Sequence, residues 1–207
     1  MRNILRSSVM LAATLGLAIL SGAGQSSGAG SPAKPLESGK FDLGLTYTYK
    51  LAKITWTTGP FFGLQGGSVD GVYWMTGQRK LGVAFDLSGE AASDIKPGVN
   101  LDQISIVAGP RYTLWRAKSS THKADVYGQA LVGYVHAFNS IFPVGASSIS
   151  STANGFALQA GGGVNLPLNR TVGLRLFEAD YIYTRLTNGA DNYQGDVRLS
   201  TGLTVHF

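Results

Sequence analysis

Apolar and polar side chains alternate along the C-terminal end of the chain, from position 193 to position 207. One phase holds Tyr193, Val197, Leu199, Leu203, Val205 and Phe207, and the other holds Gln194, Asp196, Arg198, Ser200, Thr204 and His206. This alternation predicts a β-strand with one apolar and one polar face. Strands of globular proteins usually run ~5–6 residues, whereas a tilted strand that crosses a bilayer needs about 9–11. The length of the segment therefore favours a strand that crosses a membrane.

The same alternation recurs upstream and predicts seven further strands. It is clear at 41–50, 81–90, 103–114 and 156–166, and weaker at 63–76, 124–138 and 170–186. The predicted connections are short turns at 76–80 and 167–170, a longer turn at 117–123, and loops at 53–62, 93–100, 139–152 and 187–192. Short turns at one end and longer loops at the other are typical of outer-membrane barrels, and a closed barrel leaves no backbone group unpaired in lipid. The pattern predicts an all-β fold, an eight-stranded antiparallel up-and-down transmembrane β-barrel.

The polar phase of these strands carries charges and amides in mid-strand, together with many small residues. Its larger members are Asp86, Glu90, Gln103, Arg111, Gln129, Gln159, Arg175 and Arg198. A soluble barrel buries its apolar face and shows polar side chains to water. An eight-stranded membrane barrel instead has an interior that side chains just fill. We therefore expect the polar phase to face the lumen.

The N-terminal segment predicts export. Arg2 and Arg6 precede a largely apolar run at 7–20, and Ser21-Gly22-Ala23 supplies small residues for cleavage. This is the pattern of a secretory signal peptide. We therefore expect a signal peptide at 1–23, a flexible Gly/Ser/Ala/Pro-rich linker at 24–39, and the barrel domain at 40–207.

Composition narrows the function. Charged residues make up 14% of the chain, and there are 28 Gly and no Cys. The absence of Cys excludes disulfides, thiol catalysis and Cys-bound zinc. The net charge of +5 includes Arg2 and Arg6 and is scattered, so we expect no nucleic-acid partner. No metal-ligand spacing lies on one strand face, and we expect no cofactor.

Several short motifs appear in order along the chain and end on an aromatic residue. They are Gly66-Gly67-Ser68, Gly82 with Asp86, Gly109-Pro110-Arg111, Gly161-Gly162-Gly163-Val164-Asn165, Arg175 through Asp180-Tyr181, Ser200-x-Gly202 and Phe207. Together they resemble the OmpA-like outer-membrane β-barrel family over about 41–207. The resemblance implies an eight-stranded barrel in a Gram-negative outer membrane. It implies no single activity, because the family spans anchors, adhesins and small, porin-like pores.

The resemblance also implies partners. Phe207, with Val205 and Leu203 on the same face, resembles the terminal signal that the outer-membrane assembly machinery reads in this family. The final strand must pair with the first to remove both sheet edges. We expect the other partner to be outer-membrane lipid, and we expect a monomer.

The interior charges are the candidate site. Asp86 and Glu90 lie in phase on one predicted strand, and Arg111 and Arg175 lie on two others. Buried charges must pair, so we expect a lumen network such as Asp86 or Glu90 with Arg111 or Arg175. Asp180 would face lipid in the phase set by Leu174 and Leu176. A β-bulge between Leu176 and Asp180 would turn it inward.

Three functions follow from these residues. The favoured one is a structural or surface-interaction barrel whose lumen is filled by salt bridges, and the alternative is a narrow channel for small solutes or ions. The third, a lipid-modifying enzyme, would need an activated nucleophile, for which His136 near Ser140 is the best pair. We expect no enzyme. Aromatic residues near the strand ends predict interfacial girdles: Tyr47, Tyr49, Trp56, Trp74, Tyr112, Trp115, Tyr134, Tyr181, Tyr183 and Phe207.

Overall fold

The computed structural model describes residues 40–53, 61–76, 78–117, 124–144, 148–187 and 192–207. The predicted signal peptide, the predicted linker and Trp56 lie outside these residues. The strands are β1 (Phe41–Lys53), β2 (Phe61–Trp74), β3 (Leu81–Lys96), β4 (Val99–Arg116), β5 (Asp125–Phe138), β6 (Phe142–Val144), β7 (Ser148–Ser150), β8 (Ala153–Pro167), β9 (Val172–Thr184) and β10 (Gln194–His206).

Eight of these strands close into an antiparallel barrel, in the order β1-β10-β9-β8-β5-β4-β3-β2. The prediction of an eight-stranded barrel is confirmed. We call the end that carries the connections 75–80, 117–124 and 168–171 and the C-terminal Phe207 the turn end. The opposite end carries the connections 54–60, 97–98, 139–152 and 185–193, and we call it the loop end. Barrel strands of 13 to 18 residues are long enough to cross a bilayer.

The last strand closes the barrel against the first, as the sequence predicts. Leu203 lies opposite Leu45 and Val205 lies opposite Leu43. The backbone N–H of Phe207 donates to the carbonyl of Phe41 at 2.9 Å, and the two rings lie 6.3 Å apart. The three residues that resemble an assembly signal therefore stand at the seam between the first and last strands.

The barrel has an apolar outer face and a polar interior. In β10, Val197, Leu199 and Leu203 are exposed, while Asp196, Arg198 and Thr204 are buried. This distribution confirms the predicted phase of the final strand and is the reverse of that in a soluble barrel. Among the described residues, no helix is long and apolar enough to cross a membrane.

A β-bulge in β9 turns two carboxylates inward. Leu176 and Phe177 are consecutive and both exposed, and the register of β9 shifts here against β10 and against β8. The Thr201 hydroxyl donates to the carbonyls of Arg175 and Leu176 at 3.0 and 3.1 Å. Because of the extra residue, Arg175 before the bulge and Asp180 after it both face the lumen. The bulge lies next to Leu176, where the sequence predicts it.

Two segments differ from the sequence prediction. The predicted loop at 93–100 is mostly strand, because β3 continues to Lys96 and pairs there with Val99 of β4. The chain reverses at Pro97-Gly98, and Gly98 takes a φ of 76°, which glycine adopts at low cost. The predicted loop at 139–152 contains the short hairpin β6–β7.

Trp74 does not belong to an outward girdle. It is 7% exposed and lies in the inward phase of β2, where its indole N–H donates to Asp42 at 2.7 Å. The other girdle candidates among the described residues have partly or largely exposed side chains. They are Tyr47, Tyr49, Tyr112, Trp115, Tyr134, Tyr181, Tyr183 and Phe207.

Candidate functional site in the barrel lumen

Ten charged side chains are buried among the described residues. The four cations are Lys50, Arg111, Arg175 and Arg198, and the six carboxylates are Asp70, Asp86, Glu90, Glu178, Asp180 and Asp196. They come from six of the eight barrel strands. A buried charge is costly unless it is paired and hydrogen-bonded, so the contacts of these groups decide what the lumen can do.

On the turn side of the network, Asp70 of β2 binds two arginines. The Arg175 guanidinium donates to its two carboxylate oxygens at 2.6 and 2.9 Å, in the fork geometry that makes such pairs strong. Arg111 reaches the same carboxylate at 3.3 Å and donates to Gln129 Oε1 at 2.6 and 2.9 Å. Asp70 therefore joins β2 to β4 and β9.

Glu178 and Tyr127 connect the two arginines. Glu178 Oε2 lies 3.3 Å from Arg175 Nη1 and 3.7 Å from Arg111 Nη2, and it also accepts a hydrogen bond from the Tyr127 hydroxyl. The Arg111 guanidinium lies over the Tyr127 ring, 4.3 Å from its centre. This is a cation–π arrangement between two buried side chains. Glu178 reaches these groups because of the bulge in β9.

Arg198 of β10 is the centre of the middle layer. It donates to both oxygens of Asp86 at 3.2 and 3.1 Å and to Asp180 at 3.2 Å. Asp180 also accepts from Gln129 and Gln159 at 3.0 and 3.1 Å. A Cβ at Gly161 would lie 2.4 Å from Asp180 Oδ1, so the close approach needs glycine at that position.

Lys50 forms the layer nearest the loop end. Its ammonium lies 2.5 Å from Glu90 Oε2 and 2.6 Å from Gln103 Oε1. Glu90 Oε1 lies 3.8 Å from Arg198, which connects this layer to the middle one. The pairs therefore form a continuous network along the lumen from Asp70 to Lys50.

The structure brings the predicted site residues into one network but with different partners. Asp86, Glu90, Arg111, Arg175 and Asp180 are all buried in the lumen. The arginines Arg111 and Arg175 pair with Asp70 and Glu178, whereas Asp86 and Glu90 pair with Arg198 and Lys50. The pairs that form therefore differ from the expected pairs of Asp86 or Glu90 with Arg111 or Arg175, because strand order and register bring Asp70 and Glu178 to the two arginines.

A second cluster of polar side chains lies in the lumen at the turn end, on the turn side of the network. Asp42 pairs with Arg79, accepts from the Trp74 indole at 2.7 Å and lies 2.8 Å from His206 Nδ1. Arg79 lies in the β2–β3 turn with a φ of 51°, and its guanidinium lies 5.6 Å from the centre of the Trp74 ring. The space between this cluster and Asp70 is a cavity of about 20 Å³, about enough for one water.

The loop end of the lumen is different, because it contains a cavity of about 360 Å³. Its apolar lining includes Phe62, Ile95, Leu101, Ile141, Phe142 and Leu186. Gln103 also lines the cavity, and its side-chain oxygen accepts a hydrogen bond from the Lys50 ammonium. Phe142 begins the β6–β7 hairpin and is buried in the same apolar cluster as Leu101. The hairpin thus contributes to the wall of the cavity.

Few of the described side chains are candidates for catalysis or for metal binding. His136 Nδ1 lies 2.5 Å from Asn154 Oδ1, and its ring stacks on Phe138 at 5.5 Å, whereas Ser140 lines the loop-end cavity. Within the described ranges, no cluster of three or more His, Cys, Asp or Glu side chains could hold a metal ion.

The fold is that of small outer-membrane β-barrels. The chain is similar to the attachment invasion locus protein Ail of Yersinia pestis, solved in complex with the heparin analogue sucrose octasulfate, with a TM-score of 0.54 and 15% identity. It is also similar to Neisserial surface protein A (NspA), with a TM-score of 0.54 and 20% identity. Each match covers 82% of this chain and 99% of the other. No family model and no curated sequence matches.

Proposed function

We propose that the protein is an integral outer-membrane barrel with a structural or surface-interaction role and a lumen closed to ions. The observation that carries the proposal is the buried network. Arg198 of β10 is bound to Asp86 of β3, and Arg175 of β9 is bound to Asp70 of β2. In each pair the two strands are three places apart in the barrel order, so the side chains must meet inside the lumen.

The contacts of the network support a plug rather than an ion path. A conducting filter needs binding weak enough for ions to leave, whereas Asp70 and Asp86 each bind an arginine through both oxygens. An incoming ion would have to displace a buried charge that has no water to replace its partner. The void on the turn side of the network is only about 20 Å³.

A role at the surface is supported by the similarity to the attachment invasion locus protein and to a neisserial surface protein. We do not extend the heparin analogue of the Ail complex to this chain. The described loop-end residues mix cations such as Lys53 and Arg185 with the acids Asp94 and Asp102, and a sulfated sugar needs an excess of positive charge.

We also propose that the protein has no enzymatic activity. A hydrolase needs a nucleophile within hydrogen-bond reach of a base. His136, the candidate base, is hydrogen-bonded to Asn154 instead. A lipid analysis that shows the same acylation pattern in wild-type and His136→Ala strains would support this proposal, and a change in that pattern would contradict it.

Conductance in planar bilayers tests the plug. The refolded mature protein is expected to give no channel steps, while the double variant Arg175→Ala/Asp70→Ala, which removes both partners of one pair, is expected to give them. The double variant shows that the measurement can detect an open lumen. Steps of equal size from the wild type would favour the narrow channel instead.

Export is tested by fractionation and N-terminal sequencing. We expect the mature chain in the outer-membrane fraction to begin near residue 24, because Ser21-Gly22-Ala23 provides small residues for cleavage. A membrane-fraction chain that still contains Leu15 would contradict the signal peptide.

A further inference from the structure

The loop-end cavity is much larger than the turn-end cavity, and its walls are mainly apolar. Its volume of about 360 Å³ lies in the range of sites that hold small ligands, ≈ 300–1,000 Å³. Apolar walls with a few polar groups are the usual composition of such sites. Protein interiors are otherwise close-packed, so a void of this size at one end of a filled lumen needs an explanation.

One polar side chain in this cavity is incompletely bonded. Asp196 of β10 lines the cavity and is 2% exposed, yet its Oδ1 has no hydrogen-bond partner among the described residues. The Lys53 backbone donates to the Asp196 carboxyl group, which leaves the second oxygen to be satisfied. A buried carboxylate oxygen without a donor is costly, and a ligand that supplies a donor would remove that cost.

Two neighbouring amide side chains are already bonded. Gln194, also in the lining, donates to the Leu186 carbonyl at 3.1 Å and accepts from the Leu186 N–H at 3.0 Å. Gln103 accepts from Lys50 at 2.6 Å. Asp196 is therefore the lining group, of those described, that has a buried polar atom free to bind something else.

The charge balance indicates which donor fits. The buried charges of the described residues are six carboxylates and four cations, a formal excess of two negative charges (six minus four). The nearest ammonium, that of Lys50, is bonded to Glu90 and Gln103. The ammonium of Lys53 lies on the ring of Phe61, 4.3 Å from its centre, and Phe61 is exposed. A cationic donor would offset the excess charge, whereas an anion would increase it.

We propose that this cavity is a binding site for a small apolar molecule that carries a protonated amine, with the apolar body against Leu101, Phe142 and Leu186 and the ammonium on Asp196. The β6–β7 hairpin forms part of the site through Phe142. The site lies between the loop end and the charged network. A bound molecule would therefore contact Gln103, which is hydrogen-bonded to Lys50 of the network.

Isothermal titration calorimetry on the refolded protein in non-ionic micelles tests the proposal with two probes of one shape. Adamantan-1-amine is expected to bind with one molecule per barrel, and at least about tenfold more tightly than adamantane-1-carboxylate, a difference of ~1.4 kcal/mol. Titrations into empty micelles correct for partitioning. Equal affinities for the two probes, or no saturable binding of the amine, would overturn the proposal.

Three variants locate the binding. Asp196→Asn keeps the shape of the side chain and is expected to lose most of the preference for the amine. Asp94→Asn makes the same change at an exposed loop-end position and should bind both probes as the wild type does. Ala52→Leu, which adds three carbons to a residue in the cavity wall, should weaken binding although Asp196 remains.

These outcomes test the amine-binding site without testing whether the lumen is closed to ions. An amine preference that survives Asp196→Asn, or wild-type binding in Ala52→Leu, would mean that the amine binds elsewhere. If Asp196→Asn does not reach the folded form on unboiled gels, the two probes on the wild type and on Ala52→Leu still give the answer. Bilayer conductance is an independent measurement, because a barrel closed to ions could fail to bind the amine and a conducting barrel could bind it.

Discussion

The two ends of the lumen are filled in opposite ways. On the turn side, Asp70, Arg111 and Arg175 are in direct contact and leave about 20 Å³. On the loop side, Leu101, Leu186 and their neighbours surround about 360 Å³. Buried charges are costly unless they have partners at hydrogen-bond distance, and this favours close packing where most of the charges lie. An apolar wall tolerates a void at the smaller cost of lost dispersion contacts, and this difference separates the proposed plug from the loop-end cavity.

The largest expected effect comes from breaking the plug. Arg175→Ala should lower the free energy of unfolding by about 3–5 kcal/mol, because the buried carboxylate of Asp70 loses two hydrogen bonds and keeps only the longer one from Arg111. Urea unfolding in lipid vesicles measures this. The control is Arg116→Ala, which removes a pair with Asp125 whose arginine side chain is 41% exposed and should cost less than about 1 kcal/mol. Equal costs for the two variants would contradict the assignment of the network as the plug.

The next prediction tests which side chains of β10 face outward. The descriptions of the turn side and of the loop side of the lumen both depend on that assignment. Leu203 is 53% exposed on the outer face of β10, so Leu203→Asp would place a carboxylate against lipid at a cost of up to about 2 kcal/mol. The fraction of heat-modifiable protein on unboiled gels should fall. Leu168→Asp, in the β8–β9 turn, is the control and should fold normally. If Leu203→Asp folds into membranes as the wild type does, the phase of β10 is wrong.

Deleting Phe207 should have a related but smaller effect. The deletion removes an interfacial aromatic residue and the backbone hydrogen bond to Phe41, but it places no charge in lipid. We expect less of the heat-modifiable form than in the wild type and more than in Leu203→Asp. Normal assembly without Phe207 would mean that the seam does not depend on this residue.

A smaller effect is expected on the loop side. Phe142→Ala shortens a side chain of the apolar cluster next to the existing cavity. Because water can enter the enlarged void, we expect a loss below about 2 kcal/mol, less than the 3–5 kcal/mol typical of Phe→Ala in closed cores. Urea unfolding compares it with Leu131→Ala, where the leucine is fully buried and the expected loss is larger. A larger loss for Phe142→Ala would mean that the loop side is as tightly filled as the turn side.

The smallest effect concerns the bulge that supplies the plug with Glu178. Thr201→Val removes the hydroxyl that donates to the carbonyls of Arg175 and Leu176 and should cost about 1 kcal/mol. Thr171→Val in the β8–β9 turn is the control for loss of an exposed threonine hydroxyl. Equal stability of Thr201→Val and the wild type would show that strand pairing alone maintains the bulge.

The barrel was predictable because alternation is a local signal. In β10 the two phases separate fully, and the structure exposes Val197 and Leu199 while it buries Asp196 and Arg198. The bulge in β9 was also predictable, because carboxylates in the lipid-facing phase would be costly. In both cases the sequence carries the penalty for the wrong arrangement within a few neighbouring residues.

The partners within the lumen were not predictable in the same way. Asp70 lies in a strand whose inward phase also contains Leu64, Val72 and Trp74, so the alternation there is blurred and the acid does not stand out. Arg175 meets Asp70 across 105 residues of chain, and such a contact depends on strand order and register. The position of Trp74 at a strand end predicts a girdle residue, whereas its phase, shared with Asp70, indicates the interior.

The long separation in sequence between Arg198 and its partner has a consequence for insertion of the barrel into the membrane. Its partner Asp86 precedes it by 112 residues, and the arginine lies in the final barrel strand. A chain that has delivered only its earlier strands therefore carries Asp86 without that neutralising cation, and moving such a sheet into lipid would desolvate an unpaired charge. We therefore expect insertion of a partly delivered chain to be disfavoured until the last strand supplies Arg198.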